Sequence, residues 1–198
     1  YAASDTQGAT MGAFNCFAIA SLESTPCILA TGKTWLKVPQ CVRVVCKGTL
    51  PKGVMGKDIY LRLLQDLTGS TEGRVIEFAG PGVASIPMDV RMGVANGSNH
   101  LGAITTIFPP DEELRKYLEP IAREPYETVA ADEDGVYAQS HEYDLDTFQP
   151  LVAGPHETER IRALSDVEGT AVNAGYIGSC SSGRLKDLEL AAEVLKGR

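Results

Sequence analysis

The sequence predicts an α/β protein of three layers, in which helices cover the faces of sheets. The β-branched run at 42–46 and the apolar run at 75–78 each predict a strand. Between them, residues 57–67 repeat isoleucine and leucine at helical spacing. Strand, helix and strand therefore alternate along the chain, and this alternation is the main evidence for the class.

The first forty residues predict a loop followed by two helices. Residues 1–12 are small and polar, as in a loop, whereas 13–22 follow a helical pattern. The sequence at 24–26 (STP) predicts the cap and first turn of a second helix, and Gly32 predicts its end.

The rest of the chain continues the alternation of helices and strands. Residues 87–95 predict a helix, and the apolar segment 104–108 stops at two prolines. Asp111 begins another helix, whose acidic first turn suits the positive helix end. The remaining predicted segments are an exposed acidic connection at 124–140, an edge strand at 142–146, an extended segment at 150–155, a short strand leading to Cys180 and a helix at 185–196.

Composition argues against several classes of partner. The chain has 198 residues and a formal net charge of −8, and an acidic surface disfavours nucleic acid and anionic membranes. No apolar run is long enough to span a bilayer. Five cysteines without a CxxC pair favour a reducing compartment, so we expect a cytoplasmic protein.

Cys180 lies in a loop of small residues, 178–183, between an apolar segment and a helix. Small neighbours leave room for a bulky ligand, and nearby backbone N–H groups favour a thiolate bound to a metal or an iron–sulfur cluster. The alternative is a small buried residue that closes a tight turn. Local chemistry alone favours the buried turn residue, since free cysteines are often simply buried.

Two polar clusters are further candidate sites. Residues 5–10 (DTQGAT) precede a helix, where they serve either as a cap or as a ligand-binding loop. Residues 96–100 (NGSNH) lie between apolar segments, and buried polar groups need partners. This second cluster is therefore either a hydrogen-bonded network or a site that contains His100.

Four stretches occur in a characteristic order: residues 29–39 (LATGKTWLKVP), 47–54 (KGTLPKGV), 165–170 (SDVEGT) and 178–184 (GSCSSGR). The last resembles a Gly-Ser-Cys-Thr-Asn loop that holds an iron–sulfur cluster. Together they resemble the aconitase and isopropylmalate dehydratase family, and the resemblance covers essentially the whole chain.

The resemblance implies a hydro-lyase or isomerase that dehydrates and rehydrates a hydroxy di- or tricarboxylate. It implies a 4Fe–4S cluster held by three cysteines, with one iron acting as a Lewis acid on the substrate. Cys180 matches one cluster ligand, and the family's other two lie in a CxxC beyond the C-terminal end of this sequence. A small subunit or a swivelling C-terminal domain is the implied protein partner.

The same resemblance identifies site residues and several departures. In the family's Asp-Ser-His stretch Asp5 is kept, Thr6 replaces the serine and Gln7 replaces the active-site histidine, so a histidine becomes an amide. Asn96 is kept, but the glutamate that pairs with that histidine becomes His100. An acid–histidine pair is thus expected to become an amide–histidine pair, in which the amide cannot titrate.

The cluster loop also departs from the family. Ser181 and Ser182 replace its Thr-Asn and are expected to bind substrate. Arg184 either supports the loop, contacts a substrate carboxylate, or simply lies on the helix surface.

Family domain organisation implies three parts. Residues 1–40 are the remainder of a first α/β domain with an active-site loop at 4–10, residues 41–140 a second α/β domain, and residues 141–198 the start of a third that carries Cys180. Two other functions stay open: a catalytically lapsed paralogue that acts as a binding or assembly partner, and a cluster-free enzyme in which His100 is the acid or base.

Overall fold

The structure is a computed structural model that describes residues 1–155 and 157–197. Its strands are β1 (Ala2–Ala3), β2 (Ile19–Ala20), β3 (Cys41–Lys47), β4 (Val75–Ala79), β5 (Thr105–Ile107), β6 (Gln139–Asp144), β7 (Leu151–Gly154) and β8 (Glu157–Ala163). Its α-helices are α1 (Thr25–Thr31), α2 (Gly56–Leu67), α3 (Met88–Asn96), α4 (Glu112–Leu118) and α5 (Leu185–Leu195). Short 3-10 segments span Thr6–Phe14, Leu22–Ser24, Pro81–Ser85, Gly97–Leu101, Leu145–Thr147 and Leu164–Val167.

The main sheet is parallel, with strand order β5-β4-β3-β6. Strand β3 buries Val42, Val44 and Cys46 on one face. The α2 side chains Ile59, Leu63, Leu64 and Leu67 pack in one core with Ile76 and Phe78 of β4. Parallel strands joined through helices confirm the predicted α/β class.

Strand β6 lies at the edge of this sheet, beside β3, which confirms the predicted edge strand. It begins at Gln139 and ends at Asp144, so it crosses the predicted domain boundary at 140/141. A hydrogen bond crosses the same predicted boundary, because the carboxylate of Asp58 in α2 accepts from the backbone N–H of Leu151 at 2.8 Å. The division into three domains stays a prediction, although these contacts join its second and third parts.

The predicted helix at 13–22 is wrong. A 3-10 segment, Thr6–Phe14, forms earlier in the chain and ends at Asn15, whose φ is 59°. This segment packs closely on β5, because a side chain at Gly12 would collide with the backbone carbonyl of Thr106. Helical periodicity did not reveal this packing, which depends on glycine rather than on an apolar stripe.

The predicted short strand before Cys180 is also wrong. Tyr176 and Ile177 are exposed, and no strand in the described part of the chain pairs with segment 168–184. A strand requires a neighbour that completes its hydrogen bonds. The extended segment at 150–155 does pair, since β7 and β8 are antiparallel, while His156 lies outside the described residues.

A buried ion pair anchors α3. The Arg91 side chain is fully buried, and its guanidinium donates to the carboxylate oxygens of Asp111 at 2.9 and 2.5 Å. It also donates to the carbonyl oxygens of Ile86 and Val83 at 2.8 and 3.0 Å. Asp111 caps α4 as predicted, accepting from the backbone N–H of Leu114 at 3.0 Å. One charge pair therefore joins α3, α4 and the turn before α3.

Because the ion pair is buried, we expect substitution of Arg91 to lower the stability of the protein strongly. Arg91→Met removes a buried charge and leaves Asp111 and two carbonyls without their donor, so the free energy of unfolding should fall by about 3–5 kcal/mol. Urea denaturation measures the change. Arg115→Met, at an exposed arginine that pairs with Glu112 and Glu119, is the matched control and should change stability little. Equal effects of the two substitutions would contradict the anchoring role.

The same pair predicts a pH dependence. Burial works to raise the pKa of the Asp111 carboxyl, but hydrogen bonds from Arg91 and from backbone N–H groups outweigh it and hold that pKa below its ordinary value. A lowered folded pKa stabilises the protein above the unfolded pKa of about 3.9 and loses this contribution as pH falls through the folded value. The stability gap between wild type and Asp111→Asn should be constant above about pH 5, narrow as pH falls below about 4, and vanish once the pH lies below the folded pKa of Asp111. Urea unfolding across this range measures the gap, and a gap that persists to the lowest pH would refute the assignment.

Candidate active site

The loop before the first 3-10 segment is built around the carboxylate of Asp5. This carboxylate accepts from the Thr6 hydroxyl at 3.1 Å and from the Gln7 backbone N–H at 3.2 Å. The side-chain amide of Gln7 lies against the same carboxylate. All three side chains are exposed, so a capping loop here also presents polar groups to solvent.

Two direct hydrogen bonds bring the predicted clusters 5–10 and 96–100 together. The side-chain amide of Asn96 donates to the Thr10 hydroxyl at 2.9 Å. That of Asn99 donates to the backbone carbonyl of Thr6 at 2.9 Å. Asn96 is buried at the end of α3, whereas Asn99 is exposed. The polar cluster at 96–100 is therefore a hydrogen-bonded network that also contacts the loop at 5–10.

His100 lies beside an aromatic ring that the sequence analysis did not single out. Its imidazole stacks on Tyr60 of α2, with ring centroids 5.8 Å apart and an interplanar angle of 18°. Tyr60 also packs against Gly97, where any side chain would meet its ring. Helical spacing places Tyr60 on the buried stripe of α2, so the sequence pattern marks it as a core residue.

The expected amide–histidine pair is absent from the described structure. Gln7 contacts Asp5, and His100 stacks on Tyr60 without a hydrogen bond to any described residue. The physical reason is local, because the Asp5 carboxylate is the nearest acceptor for the amide and the Tyr60 ring covers the imidazole face.

The Cys180 loop folds back on itself. Gly183 has φ of 82° and lies against Gly178, while Ser179 has φ of 92°, which is strained for a residue with a side chain. The Ser182 N–H donates to the Ser179 carbonyl at 3.3 Å. Cys180 is exposed at the tip, so the interpretation of a buried turn residue is wrong for this thiol.

The other residues predicted around Cys180 lie in the same loop. Ser181 and Ser182 are half-buried, and the Arg184 guanidinium donates to the Cys180 carbonyl at 3.3 Å. Of the three roles considered for Arg184, the structure thus contains the contact that supports the loop. Substrate contacts by these side chains stay a prediction.

The Cys180 loop and the polar network meet at α2 and α3. The Ser181 carbonyl lies beside Gly93 of α3, one to two turns from Asn96 and His100. Tyr60 is close enough to Cys180 that, after burial, the thiol's negative charge is the second cause that raises the Tyr60 pKa. Tyr60 is therefore the common neighbour of His100 and Cys180.

A cluster requires several thiolates, and the described residues supply one suitable group here. Within residues 1–155 and 157–197, no three His, Cys, Asp or Glu side chains come together as a metal site. Burial raises the pKa of Cys46 to about 12, and burial followed by the charge of Glu77 raises that of Cys41, so neither is a ready thiolate. The exposed thiol of Cys180 fits one thiolate ligand position, and no group of side chains among the described residues completes a set around it.

The aconitase family model, described as aconitate hydratase, matches residues 2–169. The chain belongs to the aconitase family. Over 173 residues the chain is 42% identical to 3-isopropylmalate dehydratase large subunit 2 of Archaeoglobus fulgidus. This match covers 86% of the chain and 41% of that relative. It is 39% identical over 198 residues to the probable methanogen homoaconitase large subunit of Methanosarcina mazei, covering 98% of the chain and 50% of that relative.

The chain is also 37% identical over 198 residues to the 3-isopropylmalate dehydratase large subunit of Saccharolobus solfataricus. This match covers 99% of the chain and 48% of that relative. The aconitase-family chain thus spans about half the length of the curated relatives it matches. The family model ends before Cys180, but the Methanosarcina mazei match covers 98% of the chain and so must include it. In the described residues, no helix is long and apolar enough to cross a membrane.

Exposure and pKa together predict the order in which the thiols react. Iodoacetamide should alkylate Cys27 and Cys180 in the native protein, since both are exposed. Cys46 is buried with a pKa of about 12, so its thiolate fraction should be roughly a thousandfold below that of an ordinary thiol. Peptide mass spectrometry measures each rate, and alkylation in denaturant is the control that should make Cys46 reactive. A native Cys180 as protected as Cys46 would contradict the exposed loop.

Proposed function

We propose that this chain is part of the large subunit of an aconitase-type hydro-lyase that dehydrates and rehydrates a hydroxy di- or tricarboxylate at a 4Fe–4S cluster. The observation that carries the proposal is spatial. Three separate segments, the loop at 5–10, the network at 96–100 and the Cys180 loop, converge on α2 and α3. Family membership supplies the chemical interpretation of that convergence.

In this proposal Cys180 is one of three cluster ligands. When bound, the cluster supplies a Lewis acid for the substrate hydroxyl and carboxylate. The Cys180 thiol is exposed and Arg184 holds the carbonyl of the same residue, so the thiol is presented outward from a supported loop. The other ligands come from a part of the protein outside these residues.

Polar residues around Cys180 orient the substrate in this proposal. Asp5, Thr6 and Gln7 form one polar edge of the site, and Asn96 and His100 form the other. Ser181 and Ser182 offer hydroxyl groups beside the cluster loop, and a guanidinium such as that of Arg184 can bind a carboxylate in two places. A small subunit or swivelling domain completes the site, as the large-subunit names of the relatives suggest.

The second candidate is a catalytically lapsed paralogue that serves as a binding or assembly partner. The contacts of the two replaced residues favour it: Gln7 contacts Asp5, while His100 stacks on Tyr60. Neither arrangement provides the acid–histidine pair that the family resemblance implies. A cluster-free enzyme that uses His100 is less supported, since His100 has no hydrogen-bonded partner in the described part. A cytoplasmic location stays a prediction from the cysteine content.

Anaerobic reconstitution tests the proposal. The protein in its natural complete form, together with any small subunit, should take up roughly four irons per large subunit and develop the visible absorption of a 4Fe–4S cluster. Cys180→Ser should lose the cluster, because a hydroxyl replaces a thiolate ligand. Cys27→Ser, at another exposed thiol, is the matched control and should keep it.

The outcomes separate the two candidates. A cluster together with turnover of malate-type or citrate-type hydroxy acids supports the enzyme. A wild type that binds no iron under these conditions would overturn it in favour of the binding partner.

A further inference from the structure

One face of α3 carries the contacts that place the Cys180 loop. Asp89 and Gly93 are four residues apart, and Asn96 and Gly97 follow at the next turn of the same face. Asp89 accepts from the backbone N–H of Lys186, at the start of α5, at 3.2 Å. Gly93 lies against the Ser181 carbonyl. The same helix thus contacts both ends of the segment that follows Cys180.

Few other contacts determine where this segment lies. No residue of α5 is buried, and the residues before Cys180 are largely exposed. The Lys52–Glu193 ion pair at 3.0 Å joins α5 to a turn, but both side chains are well exposed, and such pairs contribute little. The position of Cys180 therefore depends strongly on the contacts with α3.

Gly93 lies in a tight contact between the Cys180 loop and α2. A methyl group there would lie 3.1 Å from the Ser181 carbonyl oxygen and 3.2 Å from the Cα of Gly56. Alanine is otherwise the better helix former, so glycine at this buried helical position has a cost that close packing offsets. An alanine at this position would force the loop or Gly56 to shift by a few tenths of an ångström, so glycine permits the present approach of the loop to α3.

We propose that Asp89 and Gly93 are positioning residues that set where the Cys180 thiol stands relative to Asn96 and His100. Asp89 fixes the first turn of α5, and Gly93 fixes the depth at which the loop rests on α3. The chemical meaning of this arrangement rests on the proposed function, in which Cys180 is a cluster ligand. The positioning itself is a property of the protein without the cluster.

Hydrogen exchange tests the positioning without requiring a cluster. In the intact protein, Gly93→Ala should speed amide exchange in peptides spanning 178–188 by about tenfold, because overpacking lifts the loop. Asp89→Ala should do the same for the Lys186 amide, and Asp89→Asn, which keeps an acceptor oxygen, should restore part of the protection.

Two glycine variants serve as controls. Gly175→Ala adds a methyl group just before the Cys180 loop, at a position where no atom lies within 4 Å. It should leave amide exchange in 178–188 unchanged. Gly56→Ala would place its methyl group 2.5 Å from the Val90 carbonyl oxygen and 2.9 Å from the Cα of Gly93, so its nearest contacts lie in the crossing of α2 and α3 rather than in the loop.

The results are decisive in either direction. Faster exchange in Gly93→Ala but not in Gly175→Ala or Gly56→Ala supports the proposal. Equal behaviour of Gly93→Ala and Gly175→Ala would overturn it, and so would an equal effect of Gly56→Ala, which would assign the change to helix crossing. Iron content after reconstitution is then measured on the same variants. A wild type without a cluster counts against the proposed function alone, since the exchange data still test the positioning.

Discussion

The Arg91–Asp111 ion pair is the constraint on which the site depends. The guanidinium of Arg91, a residue of α3, is completely buried, so it must be paired and hydrogen-bonded for the chain to fold. The guanidinium also lies over the ring of Phe108, 5.6 Å from its centroid. The backbone N–H of Phe108 donates to the Gly12 carbonyl at 3.0 Å, which connects the pair to the first 3-10 segment. The ion pair and this hydrogen bond thereby link α3 to the first 3-10 segment, and so to the loop at 5–10, at the end of β5.

With α3 held in place, its outer face organises the candidate site. The Cys180 loop rests on Gly93, Asn96 donates to Thr10, and the turn that follows places His100 on the Tyr60 ring. A rigid helix that supports an exposed loop is a common way to present reactive groups, because the scaffold fixes positions that the loop alone cannot. The exposed Cys180 thiol is therefore positioned by one of the most buried helices.

The departures that the family resemblance implies lie in the candidate site. By that resemblance Gln7 and His100 stand where a histidine and a glutamate are expected, whereas Asn96 and Cys180 match. Packing constraints act on the core in an enzyme and in a lapsed paralogue alike. The core therefore identifies the family, and the two replaced residues are where the two candidate functions differ.

Sequence periodicity was sufficient for the regular core, because α2, β3 and β4 have apolar patterns that match their burial. Ordered motifs were sufficient for the family. The 3-10 segment Thr6–Phe14 and the loop before Cys180 were predicted wrongly, because glycine packing and strand pairing decide them and neither leaves a periodic signal. Tyr60 was missed because its helical position predicts only burial. Its stacking with His100, 40 positions away in sequence, exists only in the folded chain, where the charge of Cys180 also acts on the Tyr60 pKa.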